Sequence, residues 1–270
     1  MPHLDVNGHR IHYVRRGRGE PLLLIQGLSA NHLHWGDEFL GLLEDDFDLV
    51  AYDHRGIGHS GRTTDPFTIV ELADDAAALL DCLELDRVHV MGISMGGMVA
   101  QELALRHPEG VRTLTLGCTY AGGEGSTLTD PAVIQHLGEL FMTGRTDEAL
   151  RAGFEYNVSR DFAADPEKFE MVKQLARELP ASLDIMLLQL QAVAGHDTSQ
   201  RLAEIDVPTL VIHGSDDQML SVDNARHIAE RIPGARLEVM EDVGHAFWWE
   251  RPERSAQLVR ELAAAAPAAQ

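Results

Sequence analysis

The chain has 270 residues, 44% hydrophobic and 24% charged, which suits one large α/β domain or a core domain carrying an insertion. Its net charge of −21 argues against nucleic acid and anionic membrane surfaces as partners. No apolar stretch approaches a membrane span, and the start "MPHLDVNGHRIHYV" lacks a signal-peptide core, so a cytoplasmic protein is expected.

In chain order, "HRIHYVRRG" reads as a strand, followed by the turn "RGRGEP" and the buried run "LLLIQG". "FDLVAYD" is the next strand, and Val70 to Leu83 carries apolar residues at helical spacing. "RVHVMG" follows as strand, "MGGMVAQELALRHP" as helix and "RTLTLGCT" as strand. "PTLVIHG" and "ARLEVME" come much later. Such continuously apolar runs suit strands buried on both faces of a parallel sheet, and their alternation with helices implies a doubly wound α/β fold.

The rhythm breaks between residues 122 and 200, where successive helices are expected instead. Asp130-Pro131 and Asp165-Pro166 look like helix starts, with Gly144 ending the first. "ASLDIMLLQLQAVAG" reads as an apolar helix ending at Gly195. The expected organisation is a core of residues 1–121 and 201–270, with residues 122–200 as a helical cap, or lid. The Ala-rich tail "AAAAPAAQ" is expected to fray. Two cysteines, Cys82 and Cys118, make no disulfide scaffold and are expected as two buried thiols.

One stretch carries chemistry. "GISMGG" places Ser94 in a Gly-x-Ser-x-Gly pattern between strand "RVHVM" and helix "MVAQELALRH", the signature of a sharp turn that exposes a nucleophilic hydroxyl. Ordinary turns also use Gly and Ser, so the context decides. A serine needs a base, and His245 in "MEDVGHAFWWERP" stands where open α/β sheets place their sites, after the last strand. His54, His59, His213 and His227 read better as turn, strand or surface residues. His32 and His34 are loop residues that could line the site. No histidine pair shows convincing metal-ligand spacing, and no cofactor or metal is expected.

The base needs an orienting acid. "GSDDQML" offers Asp216 and Asp217, with Asp217 preferred, Asp216 as fallback and Glu124 as a weaker substitute. An oxyanion needs donors, and the backbone N–H groups of Met95 and Leu28 are the candidates. Trp35 and Phe247 are candidate pocket residues, while Trp248 and Trp249 are expected to pack the C-terminal helix.

Together "QGLSANHLHW", "YDHRGIGHSG", "GISMGG" and "GSDD…VGHAFWWERP" resemble the α/β-hydrolase fold superfamily over essentially the whole chain. The resemblance implies an eight-stranded, mostly parallel sheet with a helical cap inserted after strand 6. It implies Ser94, Asp217 and His245 as a catalytic triad, and Leu28 and Met95 as oxyanion donors. Asp53 and Arg55 would be structural. Gln26 departs from the histidine that often precedes the family's oxyanion glycine. Ser94 argues against the dehalogenating and epoxide-opening relatives, which carry Asp there. The expected activity is a serine carboxylesterase, with a lactonase, a cofactor-free perhydrolase or a non-hydrolytic ligand receptor as alternatives. The expected partner is a small ester or lactone substrate. Sheet edges and cap helices also offer surfaces on which a homodimer could form.

Overall fold

The structure, a computed structural model, describes residues 2–266. Two short strands, β1 (His3–Val6) and β2 (His9–Gly17), form an antiparallel hairpin. The sequence reading missed β1, which is only four residues long and partly exposed. Its signal was Asn7-Gly8, both at positive φ (49° and 82°), which is the two-residue turn that suits a twisted hairpin.

The next strand, β3 (Glu20–Ile25), leads through helix α1 (Asp37–Leu43) to β4 (Phe47–Tyr52). Helix α2 (Ile69–Cys82), strand β5 (Val88–Ile93), helix α3 (Met95–Arg106) and strand β6 (Val111–Gly117) follow. Five helices then run without a strand: α4 (Pro131–Met142), α5 (Thr146–Asn157), α6 (Arg160–Ala163), α7 (Pro166–Glu178) and α8 (Leu183–Ala194). Asp130, Asp165 and Ser182 cap α4, α7 and α8 by accepting from backbone N–H groups. The chain closes with β7 (Thr209–Gly214), α9 (Val222–Arg231), β8 (Arg236–Met240), α10 (Phe247–Glu250) and α11 (Pro252–Ala265). The tail expected to fray extends past α11, and its last four residues lie outside the described residues.

Across the eight-stranded sheet the order is β1-β2-β4-β3-β5-β6-β7-β8. The pairs β1–β2 and β2–β4 are antiparallel, and all pairs from β4 to β8 are parallel. Every residue of β5 and β7 is buried, as expected of strands covered on both faces. One apolar cluster joins α2, α3 and α9 to one face through Leu72, Leu79, Val99, Leu103 and Ile228. A second joins α1 and α11 to the other through Phe39, Leu43, Leu258 and Val259. This is the doubly wound α/β fold, and its parallel strands bring their carboxyl ends, with the loops that follow them, to one edge.

No helix among the described residues is long and apolar enough to cross a membrane.

Candidate active site

Ser94 stands between β5 and α3 with φ 56° and ψ −120°, a conformation that costs a non-glycine residue strain. Four hydrogen bonds hold it. Its N–H donates to Gly117 O (2.9 Å), while its carbonyl accepts from Gly97 N (2.9 Å), from Met98 N (3.2 Å) and from Thr119 Oγ1 (2.7 Å). The flanking glycines are required by close approach. A Cβ at Gly92 would overlap the Gly96 carbonyl, and one at Gly96 would overlap the Ile25 carbonyl at the end of β3. The serine therefore caps the N-terminus of α3, where free N–H groups and the helix dipole favour negative charge.

Ser94, Cys118, Asp217 and His245 follow the ends of four successive strands, β5, β6, β7 and β8. His245 Nδ1 lies 2.7 Å from Asp217 Oδ2. The other carboxylate oxygen accepts the N–H groups of Met219 (2.8 Å) and Leu220 (2.9 Å). Burial works against the charge of Asp217. The His245 and His213 imidazoles that face it prevail, and hold its carboxyl well below the usual carboxylate range. An ionised Asp217 accepts the Nδ1 proton of His245, which leaves Nε2 free to take a proton from elsewhere. Among the described residues Ser94 Oγ makes no hydrogen bond, to His245 or to any other group. Asp216 turns away and accepts from Ser215 Oγ (3.2 Å) at the surface, and Glu124 is exposed.

Sequence reading gave three residues no place in this site, because each meets it across strands or helices and carries no local signal. His213 was read as an ordinary strand residue, yet its Nε2 is 3.0 Å from Asp217 Oδ2 and 2.9 Å from Leu220 O. The Cys118 thiol is pushed up by burial and by the charge of Asp217, so it remains an unreactive thiol. Glu250, buried on α10, accepts from Gly244 N (2.8 Å), Ser159 N (3.0 Å) and Ser159 Oγ.

The loop after β3 approaches the serine from the other side. A Cβ at Gly27 would stand 3.1 Å from Ser94 Cβ. Neither the Leu28 nor the Met95 N–H has a hydrogen-bond acceptor among the described residues, so both remain available. Gln26, the departure from the family's histidine, bonds locally: its Oε1 accepts from Gly27 N (3.1 Å). The helical insertion touches this loop through Gln189 Oε1, which accepts from Ser29 N (2.7 Å), and through Asn31 Nδ2, which donates to Leu179 O (3.1 Å). It touches the His245 loop through Ala246 N, which donates to Asn157 O (2.8 Å).

Several expectations need correction. Trp35 and Phe247 are 0% exposed and belong to the second core cluster, so neither lines a space open to solvent. Trp35 stacks on Phe39 and tilts against Trp248, while Phe247 presses on Gly117. An aromatic residue in a loop has as much apolar area to bury as one in a strand, and here both turned inward. Trp248 and Trp249 also do more than pack α11: both indole N–H groups donate to His34 O, each at 2.9 Å, joining the His245 loop to the loop after β3. Cys118 is buried as expected, but Cys82, at the end of α2, is exposed.

Two groups among the described residues bring metal-ligating atoms within 4.8 Å of one another: Cys118, Asp217 and His245, and separately His12, His32 and Asp53. The second unites positions 20 to 41 residues apart in sequence, a convergence that motif spacing could not reveal.

Comparison with known proteins identifies the family and the fold. The sequence signature of the Alpha/beta hydrolase family matches residues 22–258. The chain is 31% identical over 249 residues to a poly(3-hydroxyalkanoate) depolymerase of Ectopseudomonas oleovorans, covering 91% of this chain and 86% of that one. Among solved structures it resembles Est816, described as an N-acyl homoserine lactone degrading enzyme. The TM-score is 0.80 at 31% identity, over 96% of this chain and 99% of that one. The enol-lactonase from Burkholderia xenovorans LB400 gives a TM-score of 0.85 at 25% identity, over 97% of this chain and 100% of that one.

Proposed function

The chain belongs to the alpha/beta hydrolase family, and on that premise we propose that it hydrolyses a carboxylic ester through a Ser94–His245–Asp217 triad and an acyl-enzyme. The observation that carries this reading is the 2.7 Å Asp217–His245 contact on the same sheet edge as a strained, helix-capping Ser94.

His245 Nε2 takes the Ser94 proton as Oγ attacks the ester carbonyl. The Leu28 and Met95 N–H groups bind the oxyanion, and α3 adds its N-terminal dipole. The tetrahedral intermediate collapses as His245 returns the proton to the leaving alkoxide. Water then attacks the acyl-enzyme with His245 again as base, releasing the acid and restoring Ser94. Asp217 holds the tautomer and balances the imidazolium. In this reading the Ser94–His245 bond forms as substrate binds, since catalytic hydrogen bonds tighten in the substrate complex. Residues 122–200 act in this reading as a cap whose helices hold both loops of the site.

A lactone is an internal ester, so the same steps open it, with the leaving alkoxide tethered to the acyl group. The likeness to Est816 and to the Burkholderia enol-lactonase favours this second substrate class.

The test is turnover of a panel of short-chain esters and lactones by the wild type and by Ser94→Ala. The variant is expected to fold normally and to lose on the order of 10⁶ in kcat. Mass spectrometry of the quenched wild type should find an acyl group on the peptide containing Ser94. Product analysis separates the substrates: an ester yields acid and alcohol, a lactone one hydroxy acid. A wild type as slow as Ser94→Ala across the panel would overturn hydrolysis and favour a ligand receptor.

A further inference from the structure

Away from Ser94, at the ends of β3 and β4, four histidine rings crowd together. The His12 and His32 ring centroids are 4.9 Å apart, and His12 lies 5.0 Å from His59 and 5.1 Å from His3. Beneath them sits Asp53, fully buried. Its Oδ1 accepts from His32 N (2.8 Å) and pairs with His32 Nδ1 (2.9 Å), while Oδ2 accepts from His59 N (2.9 Å). The carboxylate is therefore locked in place before any ligand arrives.

One atom in this cluster is left over. His12 is 1% exposed, and its Nδ1 lies 2.9 Å from the Pro2 carbonyl. A carbonyl only accepts, so Nδ1 carries the proton and Nε2 is a lone pair. That Nε2 is buried and has no hydrogen-bond partner. A buried acceptor without a donor is costly for stability alone. It is also the state a metal-binding imidazole needs: one nitrogen oriented by a backbone carbonyl, the other deprotonated.

We propose that His12, His32 and Asp53 form a binding site for a first-row transition-metal dication of the zinc class. The donor set, two imidazoles and one carboxylate, suits zinc and its neighbours and does not suit calcium or magnesium, which prefer all-oxygen shells. His12 contributes Nε2. The ion takes the place of the proton between His32 Nδ1 and Asp53 Oδ1, and His32 then carries its proton on Nε2. Solvent completes the shell. A bound ion ties β2 to the loop after β3 and to the end of β4, and that loop carries Leu28.

The probe is zinc chloride, titrated calorimetrically into the full chain. The wild type should bind one equivalent. His12→Gln and His32→Asn should each weaken binding at least about ten-fold, while Cys118→Ser leaves it unchanged. Circular dichroism checks that the variants are folded. Anomalous diffraction from zinc-soaked wild-type crystals gives an answer independent of any variant, with a peak expected among His12, His32 and Asp53. The proposal is overturned by the absence of saturable zinc binding or by undiminished binding in both histidine variants. Loss of binding in Cys118→Ser, or an anomalous peak beside Cys118, overturns it too.

Discussion

Asp217 serves two imidazoles through one oxygen, and in the proposed mechanism this makes His213 a positioning residue. Its Nε2 must be protonated, because it faces the Leu220 carbonyl as well as the carboxylate. The bond helps keep Asp217 ionised, and an ionised Asp217 is what stabilises a protonated His245. A hydrogen bond to a charged group contributes about 1.5–3 kcal/mol. His213→Leu should therefore lower kcat about 10- to 100-fold with KM little changed, because no substrate contact is lost. A fall confined to KM, or none at all, would show that the bond has no part in orienting the acid. Ser94 could be found from sequence because its requirement is local: a serine, two small neighbours, a strand before and a helix after. His245 and Asp217 were singled out by their positions after strands, and the structure brings them within 2.7 Å of each other. His213, Cys118 and Glu250 could not be, since their roles arise only when strands distant in sequence lie side by side.

Among the elements, α10 has the work of anchoring. It is a single turn, yet Glu250 on it collects the N–H of Gly244, next to His245, and the N–H and hydroxyl of Ser159, at the start of α6. Glu250→Ala leaves these donors buried without an acceptor. About 3 kcal/mol of stability should be lost, read as a lower urea midpoint at unchanged slope. Glu250→Gln keeps the shape and an acceptor oxygen, and should recover part of that loss. An unchanged midpoint in Glu250→Ala would mean that the segment is held by other contacts. Apolar runs revealed β3 to β7, because buried strands need them, while β2 and β8 were read as strands although only two and one of their residues are buried. Asp130 and Asp165 revealed the starts of α4 and α7, because a cap is a local device. The loops after β3 and β8 were less readable. Their lengths were plain, but nothing in "HLHW" or "AFWW" says which aromatic faces inward.

For the whole molecule, acid stability is set in part by His196, which follows α8. Burial, offset by Asp197 and reinforced by Arg201, lowers its pKa from 6.5 to about 4. The unfolded chain therefore takes up a proton below pH 6.5 that the folded chain refuses until about pH 4. This stabilising contribution is whole above pH 6.5 and fades as the pH falls through that window. Between pH 7 and pH 5 the wild type should lose about 2 kcal/mol more than His196→Gln, measured by urea unfolding at each pH. Parallel losses in the two proteins would place the acid sensitivity elsewhere. Its burial depends on residues 196–198 folding back against Tyr120 and Ala121, a tertiary contact with no sequence signature.

The chain has three tryptophans, and all of them meet in one place. Trp35 lies 5.6 Å from Trp248, and Trp248 lies 5.7 Å from Trp249, with both of the latter bonded to one carbonyl. Indoles this close couple optically, so the tryptophan contributions to near-ultraviolet dichroism and fluorescence come from the junction of the loops after β3 and β8. Helices α4 to α8 carry no tryptophan, so they are silent in tryptophan emission excited selectively over tyrosine. Unfolding followed by fluorescence thus watches the hydrolase core, while far-ultraviolet dichroism watches everything. Any gap between the two melting curves measures how independently the helical insertion comes apart.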